Sequence, residues 1–138
     1  MEFSNLVGFD PSTCISGKMM RINRITANVF RKYLNPFHIT DSQLSILFVL
    51  SKMGGLNQKQ ITDITKLEKS SLHRNLKRLL ERGFISRAHF PVMEMTPEGK
   101  LFVNNAIPEW QKAMDEIKNR LNEDGSQALD LIHTKLIS

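Results

Sequence analysis

The chain has 138 residues, 41% apolar and 24% charged, with a net charge of +5; that predicts one ordinary globular domain, not a fibrous or disordered chain. Its longest apolar run, Ile46 to Leu50, is too short to span a bilayer, and no basic segment opens into an apolar one as in a signal peptide. The single cysteine, Cys14, excludes an internal disulfide and fits a reducing, cytoplasmic setting.

Taken in order, Met1 to Thr13 has no clear period and reads as an irregular arm. From Ile15 to Leu34 the apolar residues Ile15, Met19, Ile22, Ile25, Val29 and Tyr33 recur every three or four positions. This predicts a long amphipathic helix, capped by Ser12 or Thr13 and stopped at Asn35-Pro36. Thr40-Asp-Ser-Gln43 has the form of a capping box. It opens a helix with Leu44, Leu47, Leu50 and Met53 inward, ending at Gly54-Gly55. Asn57-Gln-Lys-Gln60 is a second box, opening a short helix with Ile61 and Ile64 inward; Leu67 in the connector should plug the corner.

The next helix, from Lys69 to the Gly83 that would cap it, is the most informative. Leu72, Leu76, Leu79 and Leu80 form one stripe, while Ser70, His73, Arg74, Lys77 and Glu81 project on the other side, with Ser71 and Arg78 on its flank. One face locks into a core; the other carries hydroxyls, an imidazole and cations, the groups that bond phosphates and base edges. A short helix, a turn and a second helix of this kind make a helix-turn-helix. Charge location agrees with that reading. Lys66 to Pro91 holds seven cations against two anions, and the rest of the chain has twelve of each. A polyanion is the natural partner for such a stretch.

After Gly83 the pattern alternates. Phe84 to Phe90 and Val92 to Met95 predict two short strands, a wing behind the helix-turn-helix. Thr96-Pro97-Glu98 starts another helix carrying Val103, Ala106, Trp110, Met114, Ile117 and Leu121, with a kink expected at Pro108 and a break at Asp124-Gly-Ser126. A last helix presents Leu129, Ile132 and Leu136. The first, kinked and last helices offer more apolar stripe than the small central unit can cover, which predicts a homodimer.

Together, Thr40-x-x-Gln43, Asn57-Gln-Lys-Gln-Ile61, Lys69-Ser-Ser-Leu-His-Arg74, Leu79-x-x-Arg82-Gly83-Phe-Ile-x-Arg87 and Met95-Thr-Pro-Glu-Gly99 resemble the MarR-type winged helix regulators. The resemblance implies a mainly α fold with a small β-hairpin: a winged helix-turn-helix over 40–97, flanked by helical dimerisation regions at 1–39 and 98–138 of one domain. It implies a dimeric transcriptional regulator, a repressor released by a small ligand, bound to a pseudo-palindromic double-stranded operator. By position, Ser70, Ser71, His73 and Arg74 match the family's recognition-helix contacts, with Lys69 at the start of the same helix. Lys77 and Arg78 would lie further along the groove, and Gln58 and Lys59 would meet the DNA backbone. Arg74 is the candidate for guanine, since a guanidinium bonds O6 and N7 together.

The wing departs from the family pattern. Seven residues separate Arg87 from Met95, with no Asp or Arg among them, where the family has a longer loop with an Asp-x-Arg motif. Arg87 and His89 are left as phosphate contacts, and Phe90 could make the tip a protein-contacting edge. Two alternatives follow: a protein-interaction module that has lost DNA binding, and a redox-sensing repressor built on Cys14. For an effector pocket, Met19, Phe30, Tyr33 and Trp110 are the candidates, with Met20 beside them; these also read as plain core. Cys14, His38, His89 and His133 share no ligand-like spacing, so neither metal nor cofactor is expected. No phosphate loop, nucleophile elbow or His-x-x-x-His pair suggests an enzyme.

Overall fold

A computed structural model describes residues 2–137: six α-helices and a two-stranded antiparallel hairpin. Helix α1 is Ser4–Gly8, α2 Ile15–Leu34, α3 Asp41–Met53, α4 Gln58–Thr65 and α5 Lys69–Glu81. Strands β1 (Ile85–Ser86) and β2 (Glu94–Met95) follow, then α6, Pro97–Ile137.

Local chemistry accounts for most boundaries. Both capping boxes form: Thr40 Oγ1 accepts from the Gln43 amide at 3.2 Å, and Asn57 Oδ1 from the Gln60 amide at 2.9 Å, with each glutamine returning its Oε1 to the cap amide. Helix α5 ends in a Schellman motif. Gly83 at φ 75° donates to Leu80 O, and Phe84 N reaches back to Leu79 O at 3.1 Å. Thr96 caps α6 by accepting from the Gly99 amide at 3.0 Å.

Several expectations are corrected. The arm before Thr13 is partly helical, in α1 and in a 3₁₀ turn at Pro11–Thr13. The cap of α2 is Cys14, not Ser12 or Thr13: its Sγ accepts from the Gly17 amide at 3.3 Å, while Ser12 is engaged by Asp10. The wing strands are two residues each, because the chain turns twice between Arg87 and Val92. In α6 the expected break falls two residues early, at Asn122 (φ 57°), and a last helical stretch follows it; Pro108 lies inside the first. Met53 and Ile64 face solvent despite their apolar character.

The main core joins Ile46, Leu47 and Leu50 of α3, Ile61 of α4, Leu72, Leu76 and Leu79 of α5, Ile85, Met93 and Val103. Leu67 packs against it from the connector, half-buried. The hairpin is tied in by a mutual backbone pair between Leu56 and Met93, at 3.1 and 2.8 Å. A second cluster of Leu34, Leu44 and Ala106, with Phe30, Phe48 and Trp110 against it, fastens α2 to α3 and α6.

Large apolar side chains are left uncovered in runs in the arm (Phe3, Leu6, Val7 and Phe9), from Ile15 to Ile25 along the first half of α2, and from Leu129 to Ile137 on α6, with Phe90, Leu101 and Ile107 bare elsewhere. No described helix is long and apolar enough to cross a membrane.

Candidate nucleic-acid interface

Helix α5 is held by one face. Leu72, Leu76 and Leu79 are buried, which turns Lys69, Ser70, His73, Arg74, Lys77 and Arg78 into solvent. Among the described residues Arg74, Lys77 and Arg78 enter none of the four ion pairs. Helix α4 precedes it across a turn in which Lys66 takes a left-handed conformation, φ 61°. The Asn57 cap covers the Gln60 amide, and the amides of Gln58 and Lys59, having no carbonyl one turn back, stay open. Lys59 extends into solvent and meets Asp63 at 3.6 Å.

The fold brings residues from three elements together. A cleft of about 380 Å³ is lined by Gln58 of α4, His73 and Lys77 of α5, and Arg87 of the wing, over a floor of Leu76, Leu80 and Met93. Lys69, Ser70, His73 and Arg74 border a second, more open hollow at the start of α5. Of the ten residues assigned from sequence, seven border these two hollows, Arg78 lies with Arg74, Lys77 and Glu81 in a third, and Lys59 and Ser71 line none of the three; Ser71 and Gln58 are half-buried.

Ser71 has a support that the sequence reading did not single out. Asn75 Nδ2 donates to Ser71 O at 2.9 Å and to Ser71 Oγ at 3.4 Å, and Asn75 Oδ1 accepts from Gln43 Nε2 at 3.4 Å. Gln43 was legible as a capping residue but not as a tie to α5. Only its burial, at 5% exposed, reveals that second partner.

Arg82 belongs to the basic stretch but not to this face. Its guanidinium bonds His38 O at 2.7 Å and Phe37 O at 3.2 Å, over the rings of Phe84 and Phe102. At the wing tip the Arg87 guanidinium lies 4.7 Å from the centre of the Phe90 ring, and His89 Nδ1 lies 2.8 Å from Glu94 Oε1. Both wing side chains thus have intramolecular partners, which leaves Arg87 exposed beside the cleft and His89 turned to Glu94.

The candidate pocket residues separate. Phe30 and Trp110 meet in a cleft of about 260 Å³ between α2, α3 and α6, with Ala27, Leu44 and Phe48. Met19 is 40% exposed, half a helix away, and Met20 is exposed beside it. Tyr33 points elsewhere, its hydroxyl donating to Glu116 Oε1 at 2.7 Å. Met19 lies on the first half of α2, which stays exposed, whereas Phe30 lies on the half that packs against α3 and α6. Cys14 is exposed at the start of α2. Among the described residues no three His, Cys, Asp or Glu side chains converge as a metal site would need.

Residues 39–92 match the MarR family model. The uncharacterized HTH-type transcriptional regulator YwoH of Bacillus subtilis is 34% identical over 64 residues, which is 46% of this chain and 47% of that protein. The match thus spans about half the length of that relative. In fold, Bordetella bronchiseptica BpsR, whose DNA binding is regulated by 6-hydroxynicotinic acid, is similar at a TM-score of 0.84 and 17% identity, covering 93% of this chain and 96% of that one. A mutant MarR of E. coli complexed with operator DNA gives 0.77 at 19% identity, over 88% of this chain and 93% of that one. At such identities the likeness is one of fold.

Proposed function

We infer that this chain, whose winged helix-turn-helix is of the MarR family, is a homodimeric transcriptional regulator of the cytoplasm that binds double-stranded DNA through residues 40–97 and dimerises through 1–39 and 98–138. The carrying observation is the outward face of α5: two Lys, two Arg, an imidazole and a hydroxyl, presented together with no carboxylate paired to its cations among the described residues. Arg74 reads a base edge, with Ser70, Ser71 and His73 beside it; Lys69, Lys77, Arg78, Gln58, Lys59 and Arg87 engage phosphates.

Dimerisation follows from what a single copy leaves bare. The apolar arm, the first half of α2 and the end of α6 expose surface that a second copy would cover by two-fold pairing. Two recognition helices about 34–36 Å apart would then meet successive major grooves on a pseudo-palindromic operator. A small apolar effector would enter the cleft of Phe30 and Trp110, between the DNA-binding unit and α2 and α6, and release the repressor by shifting α3.

Selection of bound fragments from random-sequence duplex tests the reading, and a palindrome is the expected product. Affinity should fall roughly 10³- to 10⁵-fold between about 50 and 200 mM salt, as for a protein neutralising several phosphates. Arg74→Ala should cost about 1–3 kcal/mol on the selected site and much less on random duplex. Absence of duplex binding at the lower salt would overturn the proposal.

A further inference from the structure

A chain of polar groups runs from the start of α3 to the recognition face, and its direction is set at both ends. At one end is the Thr40 amide, which can only donate; it gives its hydrogen to Gln43 Oε1 at 3.3 Å. At the other is the Ser71 carbonyl, which can only accept; it takes a hydrogen from Asn75 Nδ2 at 2.9 Å. Between them Gln43 Nε2 faces Asn75 Oδ1 at 3.4 Å. A side-chain amide can be turned either way in principle. Here neither can, because reversing one sets two donors or two acceptors against each other.

The consequence falls on the Ser71 hydroxyl. It lies 3.4 Å from the same Asn75 N–H and therefore accepts from it. Its own hydrogen is left over, and among the described residues no acceptor takes it. We propose that Gln43 and Asn75 are positioning residues that commit Ser71 to donate a hydrogen bond outward, so that it recognises an acceptor on the nucleic acid. The acceptors available are a phosphate oxygen or, on a base edge, guanine N7 or O6, adenine N7 or thymine O4. The amino edges of cytosine and adenine are disfavoured. This rests on the DNA reading above and deepens it at one residue. Gln43 is nearly fully buried, so it acts only through Asn75.

The test is a double-mutant cycle with the full chain on duplex selected from random sequence. In Gln43→Glu the carboxylate still accepts the Thr40 amide but gives Asn75 no N–H. Asn75 then sets its oxygen against an acceptor whichever way its amide lies, the new carboxylate or the Ser71 carbonyl, so Ser71 is no longer held to donate outward. Ser71→Ala should weaken binding about 3- to 10-fold in the wild-type background, and less than about 2-fold in the Gln43→Glu background. Asn75→Ala, at a helical position that alanine suits, serves as a second background should the buried carboxylate unfold the protein, and the Ser71→Ala cost should shrink there likewise. Coupling on selected and random duplex alike identifies a phosphate oxygen; coupling on the selected duplex alone identifies a base edge. An equal Ser71→Ala cost in every background overturns the relay while leaving DNA binding intact. A wild-type protein that selects no duplex overturns the DNA reading and the relay with it.

Discussion

Arg82, one residue past the end of α5, donates to the carbonyl of His38 at 2.7 Å, across 44 positions of sequence. A second nitrogen bonds Phe37 O, and His38 itself sits in a left-handed conformation that aims both carbonyls at the guanidinium. The pair ties the exit of the recognition helix to the corner between α2 and α3. Stacking on Phe84 and Phe102 keeps the planar group in place.

Arg82→Ala should therefore act on stability. Loss of a charged donor to two carbonyls, on an exposed residue, should cost about 1–2 kcal/mol in urea unfolding. The salt dependence of duplex binding should not change. A slope reduced by about one would reassign Arg82 to a phosphate contact.

Gly99, buried in the first turn of α6, packs against the backbone at the start of the wing. A Cβ there would stand 2.2 Å from Phe84 O, and a carbonyl cannot swing aside as a side chain can. Gly99→Ala should destabilise by about 1–3 kcal/mol through forced separation of α6 from β1. Thermal unfolding measures it, and an unchanged midpoint would mean that the contact relaxes freely.

Ile132 is 45% exposed on the last stretch of α6, among other bare apolar residues. Ile132→Glu should shift the protein from dimer to monomer in light scattering, since a buried unpaired carboxylate opposes the interface. Affinity for a duplex with two half-sites should fall far more than for a single half-site. A mass that stays dimeric would place the interface elsewhere.

Glu116 of α6 receives hydrogen bonds from Lys32 and from Tyr33, and these, with the nearby positive charge, hold its carboxyl below the ordinary value. Lys32 is held above its ordinary value by the same bond to Glu116. With the carboxyl lowered on folding, its contribution is present above the ordinary carboxylate range and is lost as pH falls through the folded value. The lysine contribution is present below the ordinary ammonium range and is lost as pH rises through its raised value. Glu116→Gln should thus be less stable than wild type near neutrality, with the difference closing in acid. Urea midpoints across the acid range measure it, and a difference independent of pH would exclude the carboxylate as its source.

What was legible in the sequence follows the reach of the chemistry involved. The capping boxes at Thr40 and Asn57, the turn at Gly83 and the start of α6 at Thr96 each depend on groups within a few residues. A short motif carries all the information they need. The outward face of α5 was legible for the same reason, since the leucine spacing decides which way the cations point. Where partners come from distant elements, spacing stopped informing. Phe30 and Tyr33 are three apart on α2, yet one faces Trp110 and the other Glu116, both on α6 and far away in sequence.

Sequence alone determined helices α2 to α5, the caps at Thr40, Asn57 and Thr96 and the cationic side of the helix-turn-helix, since helix periodicity and capping are settled by neighbours along the chain. Tertiary structure decided that Arg82 is a clamp rather than a groove contact, that Phe30 and Trp110 share a cleft without Met19 and Tyr33, and that Gln43 reaches Ser71 through Asn75. Each of these depends on which packed helix faces which, and burying the leucines of α5 against α3 is what brings Gln43 within hydrogen-bond range of Asn75.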